Sequence, residues 1–252
     1  MNKTEFLEMQ QEMADYVYNY EYFIKCGVVF ESFYNSQFYK YIQEMHYYDV
    51  ENGLLLTIQE MKFKGSTEEE INAFIEKVKT KYNNEKPFLE NKHKKCLEVK
   101  ARTEALSKEQ VEEIEKIFLD FVRKNHPIVK LKTSDDEKAI FPVIRMLYYE
   151  NNIEGLRQII DDHKDLFQDV EIPEEEYNSV NGYFYNTRIQ LNKDRDMKGK
   201  KYPYDKAQAT EDEISIAREE GDLRTKISKL KEINQNLRKD CKTNFNREIT
   251  LE

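Results

Sequence analysis

The sequence predicts an all-α protein, a helical bundle that closes in a C-terminal coiled-coil helix. Three observations lead there. Seven Gly and five Pro in 252 residues leave few places for turns, so the elements must be long. Charged residues make up 35% and apolar ones only 39%, a balance that suits helices with a narrow apolar stripe and a wide solvated face. Apolar side chains also recur three and four apart along most of the chain. Trp is absent, so 17 Tyr and 14 Phe must supply much of the core volume.

The elements follow in order. From Glu5 to about Tyr48 the stripe is Phe6, Met9, Met13, Tyr16, Val17, Tyr20, Phe23 and Ile24, with Cys26-Gly27 expected to bend or divide the helix and Asn52-Gly53 reading as a turn. Gly65-Ser66-Thr67 opens the next helix. Thr67 with Glu70 fits a capping box, in which each side chain satisfies a free backbone donor at the helix start. Ile71, Phe74, Ile75 and Val78 form its apolar face. Asn83-Asn84 and Pro87 should end it, with a further helix over Phe88 to Thr103. Ser107 with Gln110 opens a helix carrying Val111, Ile114, Ile117, Phe118, Phe121 and Val122. Ser134 with Glu137 opens one carrying Ile140, Phe141, Ile144, Leu147 and Tyr148. After a break at Asn151-Asn152, a short helix spans Ile153 to His163. Pro173, Gly182, Gly199 and Pro203 among polar residues predict an irregular linker with room for one short helix around Tyr177 to Leu191. The division expected is a helical or coiled-coil region over 1–104, a helix pair over 105–165, the linker over 166–210 and a terminal helix over 211–252.

In that terminal helix Leu223, Ile227, Leu230, Asn234, Leu237 and Cys241 alternate by four and three, a coiled-coil seam with Leu at d and Ile227 and Asn234 at a. A buried Asn at such a position fixes register at some cost in stability. The seam has two readings: packing against another helix of the same chain, or pairing of two chains into a homodimer.

Several function classes are disfavoured. A net charge of −9 is the reverse of what sequence-independent nucleic-acid binding requires, although Lys198 to Lys201 form a local basic patch. Apolar runs as short as Gly53-Leu54-Leu55-Leu56 cannot span a membrane, and the N-terminus lacks a secretory pattern, so the cytoplasm is the expected compartment. Cys26, Cys96 and Cys241 make no metal motif or disulfide framework. His46, His93 and His163 pair with nothing at ligand spacing. With no Gly-rich phosphate loop, nucleophile elbow or zinc motif, neither catalysis, nor a cofactor, nor a metal is expected.

The most informative segment runs from Glu113 to Ile160. One helix ends at Asn125, His126-Pro127 follows, a polar loop carries Lys130 and Lys132, and a second helix presents Phe141, Ile144, Leu147 and Tyr148. This resembles helices II and III of a J-domain around its His-Pro-Asp turn. It is most similar to bacterial J-domain-like proteins in which the module is embedded between long helices. Their third helix is followed by a turn that Glu150-Asn-Asn-Ile-Glu-Gly155 resembles, and their C-terminal coiled coil runs into a motif that Asn244-Phe245-Asn246-Arg247-Glu248 resembles. The two blocks cover about half the chain, in the right order.

The resemblance implies a docking turn for a DnaK-type chaperone, formed by His126, Pro127 and Ile128 with Arg123, Lys124 and Lys130 beside it. The departures weaken that activity. Ile128 stands where the family has Asp, and Leu119-Asp120 replaces its Arg-Lys pair on helix II. Losing an interface carboxylate commonly costs about 2–5 kcal/mol, enough to abolish a transient association. Pro142 should kink the second helix or delay its start. The expectation is an exposed but degenerate turn on a protein-binding adaptor or co-chaperone-like protein. The alternatives are a structural oligomer, such as one carried by a mobile element, and an accessory subunit of a larger complex. For His126 a duller role also stands, as a cap at its helix end.

Overall fold

Capping chemistry sets where the helices of the computed structural model begin. All three capping boxes form. Thr67 N–H donates to Glu70 at 2.8 Å, Ser107 N–H to Gln110 at 2.9 Å and Ser134 N–H to Glu137 at 2.6 Å, each answered by the return bond to the Thr or Ser hydroxyl. The structure describes residues 1–167, 171–245 and 249–251. Within them the chain is all-α, with eight helices and no strand. They are α1 (Lys3–Phe63), α2 (Glu68–Ala105), α3 (Lys108–Asn125), α4 (Pro127–Lys130), α5 (Asp135–Tyr149), α6 (Ile153–Asp162), α7 (Tyr177–Lys198) and α8 (Glu213–Phe245). Among the described residues no helix is long and apolar enough to cross a membrane.

The expected breaks in the first two helices do not occur. Cys26-Gly27 and Asn52-Gly53 lie inside α1, and α2 runs through Asn83, Asn84 and Pro87. The surroundings of Gly27, Asn52 and Pro87 account for this. A methyl group at Gly27 would lie 2.5 Å from the hydroxyl of Tyr204, so this glycine permits close approach rather than a bend. Asn52 is buried and donates to Leu230 O at 3.2 Å. Pro87 and Pro142 both sit on exposed helix faces, and Asn83 and Lys138, whose carbonyls they deprive of a helical donor, are exposed residues. The expected linker is also largely ordered helix: α7 runs 22 residues, held by the buried Tyr177, Val180 and Phe184 at i, i+3 and i+7.

The chain divides into two compact units, neither contiguous in sequence. One comprises Met1–Ser32 and Glu98–Lys206, the other Phe33–Leu97 and Ala207–Glu252. The core of the first gathers Phe6, Met13 and Val17 of α1, Phe118 and Val122 of α3, Ile144 and Tyr148 of α5, Leu156 of α6 and Phe184 of α7. In the second, Leu54, Leu55 and Ile58 of α1 pack with Ile71 and Ile75 of α2, Leu237 and Cys241 of α8, and Ile249 and Leu251 beyond it. A further cluster there joins Tyr34, Phe38 and Tyr41 to Leu223 and Ile227.

The coiled-coil seam is therefore spent inside the chain. Leu223, Ile227, Asn234, Leu237 and Cys241 are buried and Leu230 is half-buried. Of the two readings left open by the heptads, packing within the chain is the one these contacts display. The motif at Asn244 to Glu248 falls partly on residues 246–248, outside the described residues.

Candidate functional site

The His-Pro segment joins two helices that run in opposite directions. Phe118 of α3 stacks on Tyr148 of α5 with centroids 3.7 Å apart, and Phe121 meets Phe141 at 6.2 Å. Between them His126 is at once the C-cap of α3 and the N-cap of α4. Its backbone N–H donates to Val122 O at 3.3 Å, and its side chain accepts from Ile128 N–H at 3.2 Å. Pro127 takes the first helical position of α4, where its missing N–H costs nothing. Leu131 then adopts φ 68° and ψ −43°, with Lys132 N–H bonded to Lys130 O at 2.8 Å. This is a γ-turn in a sparsely populated backbone region for a non-glycine residue, held by packing of Leu131 against the core. At the far end of α5, Asn151 takes a left-handed conformation with φ 54°, and Asn152 N–H bonds Leu147 O at 2.9 Å.

Contrary to the exposed turn expected from the sequence, the turn is closed over. His126 is 3% exposed and Lys130 5%. What covers it is α1. Gln10 donates to Val129 O at 3.0 Å, Asp15 accepts from Arg123 at 3.0 Å, and the buried Glu21 lies 3.4 Å from His126 Nε2. Because Ile128 N–H points at Nδ1, that nitrogen must be unprotonated. The ring is then the neutral tautomer, with Nε2–H donating to Glu21. Burial pushes the imidazole below its ordinary pKa, against the pull of Glu21. For the Glu21 carboxyl, burial alone would act upward. The bonds from His126, Arg145 (2.9 Å) and Tyr149 outweigh it and hold the group below the usual range.

Next to this cluster lies another of the same kind. Lys25 is buried and pairs with Glu115 at 2.6 Å, with its ammonium 4.4 Å from the centre of the Tyr148 ring. Tyr18 and Tyr148 donate to the other carboxylate oxygen of Glu115 at 2.7 and 2.5 Å. Burial lowers the Lys25 pKa despite Glu115, and burial with the Glu115 charge raises both tyrosines. Tyr18, Glu21 and Lys25 thus form a polar stripe at i, i+3 and i+7 on α1, turned toward α3 and α5. Lys130 is paired with Glu137, the residue that also closes the α5 capping box. Burial acts upward on the Glu137 carboxyl, but Lys130 and the Ser134 N–H hold it down.

The candidate residues accordingly separate. His126, Pro127, Ile128 and Lys130 are built into the interior or its edge, whereas Arg123 and Lys124 remain on the surface. Lys124 borders a groove of about 370 Å³ between α3 and α6. Ile117, Phe121 and Ile160 line its floor, and Asp120, Lys124, Arg157 and Asp161 its rim.

Sequence reading missed the partners of the turn. Glu21, Lys25, Glu115 and Arg145 are charged residues that pattern analysis assigns to solvated faces. It also missed a cleft of about 480 Å³ between α1 and α7, walled by Tyr16, Tyr20, Phe23, Phe30 and Tyr204. There Phe23 stacks on Tyr204 at 4.2 Å, and Tyr204 donates to Phe23 O at 3.0 Å. The available signal was the density of aromatic residues at helical spacing from Tyr16 to Phe30. Among the described residues no cluster of His, Cys, Asp and Glu is arranged to hold a metal ion. No protein-family model, curated protein or solved structure matches the chain, so the J-like resemblance rests on the residues named above.

Proposed function

We propose that this chain is a non-catalytic adaptor that binds another protein through its J-like helix pair, without using the His-Pro turn as a chaperone dock. One observation carries the reading. The turn through which the family engages a DnaK-type chaperone is closed by α1 of the same chain, with His126 3% exposed and bonded to Glu21. Ile128 in place of the family's Asp agrees with it, because no carboxylate is left there to meet a partner cation. What stays open on the module is the groove between α3 and α6, an apolar floor with a charged rim of both signs, the build of a protein-interaction surface.

Two measurements test this. The full chain should leave the ATPase rate of a DnaK-type chaperone unchanged, and a His126→Gln variant should behave the same. Stimulation by the native chain that disappears in that variant would overturn the proposal and make this an active co-chaperone. A photo-crosslinking amino acid placed at Lys124 should yield a discrete adduct with another protein in the native host, whereas the same group at the exposed Glu8 should not. Identical adduct patterns from both positions would remove the groove from the proposal.

A further inference from the structure

We infer that the aromatic cleft between α1 and α7 is a binding site for a small heteroaromatic anion of mononucleotide size. Its volume, about 480 Å³, lies within the range of about 300–1,000 Å³ usual for small-molecule sites. The walls are held in place by their own polar ends. Tyr16 donates to Arg188 O at 3.3 Å, Tyr20 to Asp194, and Tyr204 to Phe23 O at 3.0 Å. Gly27 is part of the construction, because any side chain there would strike the Tyr204 ring. Rings anchored in this way form a pre-organised stacking surface, which is sequence-tolerant toward planar heterocycles.

The sign of the ligand's charge follows from the groups at the mouth. Arg195 is exposed and its guanidinium lies 5.5 Å from the centre of the Phe23 ring, and none of the described acids pairs with it. The nearby carboxylate, Asp194, is already paired with Lys198 at 2.6 Å and bonded by Tyr20; those bonds hold it below its ordinary pKa. An aromatic-walled cleft can also receive a quaternary ammonium ion, but such a cation would meet an unneutralised guanidinium here. An anion would instead complete the charge that Arg195 leaves open, with the exposed amides of Asn19 and Asn192 beside it to bond the edge of a heterocycle.

The test is calorimetric titration of the full chain with AMP, GMP, CMP and UMP, the corresponding nucleosides, and choline. At least one nucleotide should bind saturably, its nucleoside at least about tenfold more weakly, and choline not at all. Arg195 is exposed, so Arg195→Ala should fold normally. It should weaken nucleotide binding about tenfold, equivalent to about 1.4 kcal/mol. Four outcomes would each overturn the inference: no saturable binding of any nucleotide, equal affinity for nucleotide and nucleoside, unchanged affinity in Arg195→Ala, or binding of choline.

Discussion

Glu21 and Glu51 lie 30 residues apart on the same helix. Each is a buried carboxylate with one arginine partner, yet the two are satisfied in different ways. In the first unit Glu21 is met by Arg145, Tyr149 and His126. In the second, Arg238 spans both oxygens of Glu51 at 2.7 and 2.9 Å, Asn234 donates at 2.8 Å, and the backbone N–H of Leu251 donates at 3.3 Å. A buried charge is tolerated only when its partners neutralise it and fill its lone pairs. The second network does so with groups whose charge does not change near neutrality. The first includes an imidazole, which can gain a proton. The same problem solved twice therefore leaves one unit sensitive to mild acid and ties the other to the helix register that Asn234 and Asn52 share at 2.9 Å.

The largest effect should come from Arg238→Met. It strands a carboxylate with no exposure and should destabilise the protein by about 3–5 kcal/mol, read by urea denaturation. Arg145→Met should cost less, about 1–3 kcal/mol, because His126 and Tyr149 still donate to Glu21. If the two variants lose the same stability, the remaining donors to Glu21 give no compensation and the contrast fails.

The pH dependence sharpens the same contrast. The folded state holds His126 below the ordinary imidazole value of 6.5, so the unfolded chain binds more protons as pH falls past that value. The His126 contribution to stability is thus present above pH 6.5 and is lost as pH falls through and below it. The depressed Glu21 carboxyl adds a further loss as pH falls from the ordinary carboxyl value of 4.5 through its folded value. His126→Gln should flatten the slope between pH 7 and 5. In Arg145→Met the slope in that window should become shallower, since the Arg145 charge no longer opposes a proton on His126 while burial still does. Thermal unfolding across that window in all three proteins decides the matter, and a native slope that survives His126→Gln would assign the acid sensitivity elsewhere.

The smallest effects concern the capping boxes. Ser134→Ala should cost about 1–2 kcal/mol, because its partner Glu137 is buried and also holds Lys130. Thr67→Ala, at an exposed box in the other unit, should cost about 0.5–1 kcal/mol. Equal losses would mean that burial of the box adds nothing to its strength.

Local chemistry was what the sequence by itself determined. Ser107, Ser134 and Thr67 announced three helix starts because a cap and its return bond span four residues and need nothing from the rest of the chain. The 3.6-residue stripes of Phe118, Val122, Ile144 and Tyr148 likewise announced core faces, and the heptads of α8 announced a buried seam. Tertiary structure decided whatever depended on distant partners. Gly27, Asn52 and Pro87 carry the local marks of a break, yet a distant ring, a distant carbonyl and an exposed position respectively allowed the helix to continue. The burial of the His126 turn could not be read from its own residues. It depends on Glu21, 105 positions away, whose charge identifies it as a surface residue until the fold supplies His126, Arg145 and Tyr149 around it. Periodicity records which side of a helix is apolar, whereas the partner of a buried charge is a matter of three-dimensional proximity, which no spacing along one helix encodes.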